Sequence, residues 1–147
     1  MVEYKTIVCP VDGSELTEMG EDAAAYISGL SGAKLILLHV VEKWYRSTHM
    51  ATDSKEWGEI HEGWINEGKA LLEKEVKRLK DKGVNNIETV IRDGEAAYEI
   101  VAVAREKQAD LVVMSTHHYS AMGKLFMGSV TDRVTKKSPC PVLWVFR

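Results

Sequence analysis

The chain has 147 residues, 45% hydrophobic and 28% charged, the size and composition of one domain (1–147) around a single core. A net charge of −3 gives no electrostatic basis for nucleic acid or an anionic membrane as a main partner. No apolar run approaches the length of a membrane span, and the N-terminus lacks a signal peptide's cationic start and long apolar stretch, so a cytoplasmic protein is expected.

The first apolar run, Ile7-Val8-Cys9-Pro10-Val11, is continuous rather than alternating, as in a strand buried on both faces. Residues 14–30 then place Leu16, Ala23, Ile27 and Leu30 at helical spacing. A second continuous run covers residues 35–41 and includes His39, read as a hydrogen-bonded core histidine. Residues 43–60 fit neither period; a structureless loop of this length is uncommon in a compact domain, which leaves a lid, an interface segment or the start of the next helix. Residues 64–82 put Ile65, Leu72, Val76 and Leu79 on one stripe, with Gly83 as the C-terminal cap. Residues 87–91 alternate in part, which favours an edge strand. Residues 95–108 carry Ala97, Ile100, Val101 and Ala104 at helical spacing, and Leu111-Val112-Val113-Met114 forms a fourth strand. Ser129-Val130-Thr131-Asp132 has capping-box spacing and predicts a helix over 129–138 that starts at Ser129. Residues 141–146 are the last strand. Alternating strands and helices predict a doubly wound parallel sheet with helices on both faces.

In such a sheet, ligands sit beyond the C-terminal ends of the strands, where the strand order reverses. If the first strand is central, three segments converge there: Pro10, Val11 and Asp12 with the turn that follows; Val40, Val41 and Glu42; and the loop opened by Met114 and Ser115. Asp12 is either a turn residue or an acceptor for ribose hydroxyls or for a metal that bridges phosphates. Gly128, Ser129 and Val130 are either a tight turn with a capped helix or an anion site, since a helix N-terminus carries free N–H groups and partial positive charge. The GxxxxGK[ST], GxGxxG, nucleophile-elbow and HExxH motifs are absent. No third ligand joins His117-His118, so no metal site is predicted. No carboxylate or histidine is evidently placed to activate water, which leaves at most a slow ATPase. Cys9 and Cys140 read as buried, reduced thiols.

Taken together, Ile7-Val8-Cys9-Pro10-Val11-Asp12-Gly13-Ser14, Leu37-Leu38-His39-Val40, Gly128-Ser129-Val130, Arg133-Val134 and Ser138-Pro139-Cys140-Pro141-Val142-Leu143 resemble the universal stress protein family over essentially the whole chain. The resemblance implies a five-stranded parallel sheet of order 3-2-1-4-5, usually dimeric. One branch of that family binds ATP through G-x2-G-x9-G-[ST]; here that spacing falls on Ser115, His118, Gly128 and Ser129, so the two early glycines are replaced. Another branch lacks the motif and does not bind ATP. In the nucleotide-binding branch, the counterparts of Pro10, Asp12, Val40, Met114, Gly128, Ser129 and Val130 line the site, and Ser115 and His118 are carried over with them. The expectation is a cytoplasmic stress-response protein that binds an adenine nucleotide, ATP or a relative, with or without Mg, as a ligand-gated switch; on that reading Val40 would line the adenine pocket through apolar contact or its backbone, and Lys124 would assist with the phosphates from the loop. The alternative is a member that binds no nucleotide and acts as a dimeric protein-interaction module. The implied order puts the last strand, apolar on both faces, at the sheet edge, where a twofold partner would cover Val142, Trp144 and Phe146. It also separates Cys9 from Cys140 by a strand, about 9–10 Å at about 4.8 Å per strand, beyond the roughly 7 Å a disulfide tolerates.

Overall fold

The computed structural model describes residues 1–42, 54–116 and 128–146. The chain runs β1 (Thr6–Pro10), α1 (Glu15–Ser31), β2 (Lys34–Glu42), α2 (Lys55–Asp81), β3 (Ile87–Gly94), α3 (Ala96–Glu106), β4 (Leu111–Ser115), α4 (Ser129–Lys137) and β5 (Val142–Val145). The strands form one parallel sheet of order β3-β2-β1-β4-β5. This is the expected order, with β1 central. Ile7 lies beside Leu35 and Leu111, and Val8 beside Ile36 and Val112.

Because strand side chains alternate, that register sorts them into two layers. Ile7, Cys9, Leu35, Leu37, Leu111 and Val113 pack with residues of α1 and α2 on one face. Val8, Ile36, Leu38, Val112 and Met114 pack with α3 and α4 on the other. Both faces are covered, which is why the central strands read as unbroken apolar runs. Edge strand β3 is mostly half-buried, in line with its partial alternation.

The local signals explain most helix ends. Ser14 caps α1, its hydroxyl accepting from the Thr17 N–H. After α2, Gly83 has φ +92°; its N–H bonds to the Lys80 carbonyl, and the Val84 N–H to that of Leu79. That pair of bonds is a Schellman motif, which favours glycine at the left-handed position.

Three expectations are corrected. Helix α2 begins at Lys55, capped by Ser54, rather than at 64, so residues 54–60 of the unassigned stretch are the start of a helix. Residues 43–53 lie outside the described residues. Helix α1 buries the predicted stripe only in part: Ala23 and Ile27 pack half-buried against the core, Leu30 is 72% exposed, and the fully buried residues are Gly20, Glu21, Ala24, Ala25 and Ser28. Small side chains let α1 approach the sheet closely, and Glu21 is drawn in by an ionic partner on α2. The capping box at Ser129 does not form. Gly128 is the cap, its carbonyl accepting from the Asp132 N–H, while the Asp132 carboxylate pairs with Lys136.

Candidate functional site

A crevice of about 660 Å³ crosses the C-terminal ends of β2, β1 and β4, where the strand order reverses. Seven of the ten predicted site residues line it: Pro10, Val11, Asp12, Val40, Met114, Ser115 and Val130. Gly128 and Ser129 are not in the lining; they precede Val130 and Thr131, which are. His118 and Lys124 lie outside the described residues.

Each predicted residue has a local reason for its place. Asp12 Oδ1 accepts from the Ser14 N–H at 2.8 Å, so this carboxylate folds the turn into α1 while staying exposed to the crevice. Gly13 between them has φ +85°, which favours glycine, and an added Cβ there would press on Leu71 Cδ1 at 3.1 Å. Ser115 is less open to a ligand than its position suggests: its hydroxyl oxygen accepts from the Gly20 N–H at 2.8 Å and pins α1 to β4. An added Cβ at Gly20 would sit 2.5 Å from that oxygen, so the two residues are matched.

Gly128 is the opposite case. Its φ of −57° is open to any residue, and among the described residues an added Cβ would meet only Thr116 Oγ1 at 3.9 Å and Thr131 Oγ1 at 4.0 Å. Neither backbone conformation nor these neighbours call for glycine there. Directly after it, the first amides of α4 have no acceptor within the helix, which leaves a set of donors with partial positive charge beside the crevice.

The α2 side of the crevice was missed in the sequence. Trp64, Glu67 and Leu71 line it, and His39 on β2, expected in the core, is half-buried and lines it too. His39 is hydrogen-bonded as expected: Nδ1 lies 2.9 Å from the Val11 carbonyl, which fixes the proton on that nitrogen. The lining on this side is acidic, with Asp12, Glu42 and Glu67, and holds no lysine or arginine among the described residues. No cluster of three or more metal-ligating side chains occurs among the described residues.

A cluster of shifted ionisable groups lies away from the crevice, between α1 and α2. Arg78 donates to Glu21, Asp22 and Glu75, each at 2.6 Å, and the side chains of Glu21 and Glu75 are almost wholly buried. Burial, aided by Glu75, pushes Glu21 up to about 7 against the pull of Arg78. Burial works the same way on Glu75, but hydrogen bonds from Glu21 and Arg78 hold it below its ordinary value. Cys9 on β1 is fully buried, and burial, with the Glu21 charge adding to it, raises its thiol far out of the reactive range. Cys140 is half-buried, and β4 lies between β1 and the edge strand that follows it.

The sequence profile described as the universal stress protein family matches residues 3–145. Universal stress protein MJ0531 of Methanocaldococcus jannaschii is 35% identical over 143 residues, covering 97% of this chain and 82% of that one. The solved structure of hypothetical protein MJ0577, from the same organism, superposes with a TM-score of 0.83 at 31% identity, covering 99% of this chain and 98% of that one. A solved universal stress protein in complex with cAMP superposes with a TM-score of 0.69 at 26% identity, covering 98% of each chain.

Proposed function

The chain belongs to the universal stress protein family, and from that premise we propose that it is a cytoplasmic stress-response protein that binds an adenine nucleotide, ATP or a relative, as a ligand-gated switch. The observation that carries this reading is Gly128. Its backbone and its described neighbours have no need of glycine, yet it stands beside the exposed amides of α4 at the edge of the crevice. A phosphate held against those amides gives the missing reason, because a side chain at 128 would crowd it. Val130 would adjoin the phosphates, Asp12 would accept from the ribose through the carboxylate oxygen not used in its turn, and Val40 with Met114 would form apolar contacts. The relative in complex with cAMP supports an adenine ligand. With three carboxylates in the described lining, a triphosphate would bring Mg²⁺ as its counter-charge.

Mass spectrometry of nucleotide released from the denatured protein, followed by titration calorimetry with ATP and Mg²⁺ and with cAMP, tests the reading. A protein that arrives empty and takes up neither ligand would refute it.

The alternative, an interaction module without nucleotide, has one observation in its favour: the Ser115 hydroxyl is committed to the Gly20 amide. Both readings share a homodimer built on β5. This strand is at the sheet edge, with Leu143 on it 39% exposed and Phe146 just after it 42% exposed, and an apolar edge needs a cover. A monomer by light scattering at micromolar concentration would rule the dimer out.

A further inference from the structure

Helix α2 is held against the sheet at two points, one helical turn apart. At Gly68 an added Cβ would lie 2.6 Å from His39 Cδ2, so the helix backbone rests on the imidazole. At Leu71 the side chain closes on Gly13. The His39 ring cannot yield freely, because its Nδ1 is bonded to the Val11 carbonyl. With the helix fixed there, Trp64, four residues before Gly68, comes to the end of β2 and lines the crevice together with Val40 and Val41.

Trp64 is also braced within α2. Its indole meets that of Trp57 edge to face, with ring centroids 6.5 Å apart. Trp57 in turn stacks on His61 at 6.3 Å, and His61 Nε2 lies 2.7 Å from Asp93 Oδ2 on β3. These contacts run from α2 to β3 and restrict the plane of the Trp64 ring. A half-buried, oriented indole thus forms part of the wall on the β2 side of the crevice, two strands from β4 and about 10 Å from it at ordinary strand spacing. The amides of α4 lie on the β4 side.

We propose that Trp64 is the base platform of the crevice, the face on which the nucleobase stacks when the phosphate is held at α4. The proposal rests on the adenine-nucleotide reading and adds a specific wall residue to it. Trp64 is an apolar, planar surface at the correct end, and Trp57, His61 and Asp93 act as positioning residues that hold its ring. Stacking of this kind is tolerant of base identity, because every base presents a π face. Trp64 therefore supplies affinity, and discrimination among bases falls to polar groups around it.

The test uses the full chain with ATP–Mg²⁺ and with cAMP as probes, by titration calorimetry and by tryptophan emission. Trp64→Ala is expected to weaken binding by about tenfold or more. Trp64→Phe keeps an aromatic face and is expected to stay within about threefold of the parent. Nucleotide should quench part of the parent's emission, and that part should vanish in Trp64→Phe although calorimetry still shows binding. A merely structural tryptophan would not move the quenching in this way. Binding by Trp64→Ala within about threefold of the parent would overturn the platform, as would unchanged quenching in Trp64→Phe. A parent that binds neither probe would instead bring down the adenine-nucleotide reading, and the platform with it.

Discussion

Replacing Glu21 by glutamine should stabilise the protein at pH 8 and change it little at pH 5. Three carboxylates surround the Arg78 guanidinium, and Glu21 and Glu75 are both nearly inaccessible. One buried cation does not neutralise two buried carboxylates, so a proton on one of them lowers the cost. Glu21 is that carboxyl. Among the described residues its Oε1 accepts no hydrogen bond, and a hydrogen bond between the two carboxyl groups raises Glu21 and lowers Glu75.

The native carboxyl titrates at about 7 against an ordinary 4.5. The folded state therefore holds this proton more tightly than the unfolded state. Stability from this group is fully present below pH 4.5, declines as pH rises through the window to about 7, and is flat above it. At about 1.4 kcal/mol per pH unit, the decline is of order 3 kcal/mol. Glu75 and Asp22, whose values are lowered, work in the opposite sense at acid pH. Glutamine keeps an oxygen for Arg78 and an amide donor for Glu75 but carries no charge. Glu21→Gln should gain on the order of 1–3 kcal/mol at pH 8. Urea unfolding of parent and variant at pH 5, 6, 7 and 8 measures the difference. A variant that loses more stability at pH 8 than at pH 5 would show that Glu21 is ionised and productively paired, and would refute the argument.

Two further outcomes follow from particular contacts. Gly128→Val should abolish nucleotide binding in calorimetry while costing no more than about 1 kcal/mol of stability, because φ −57° suits any residue. Equal loss of fold and binding would show that the glycine is structural. Gly68→Ala should destabilise by about 1–3 kcal/mol in denaturant titrations despite alanine's better helix propensity, because its Cβ runs into the tethered His39 ring. Adding His39→Ala should cancel much of the clash, and additive losses in the double variant would contradict the contact.

The amino-acid sequence by itself determined the strands, the class of fold and the end of the sheet where a ligand would sit. Continuous apolar runs such as Leu35-Ile36-Leu37-Leu38 report burial on two faces, and they do so whatever the neighbours are. The cap at Gly83 was also legible, because a cap is satisfied within a few residues of chain. The resemblance to a known family supplied the strand order and most of the site residues. Only the tertiary structure decided how those residues are used. The Ser115 hydroxyl serves an amide 95 residues earlier in the chain, and Glu21 is buried because Arg78 meets it from another helix. Trp64 and Glu67 joined the crevice through the contact of Gly68 with His39. Residues 54–60 were hidden for a related reason: this part of α2 buries no residue fully, with Ile60 exposed, and so carries a poor apolar stripe. Periodicity records how much of a side chain leaves water. It does not record which distant group meets it there, and that pairing is what makes a site.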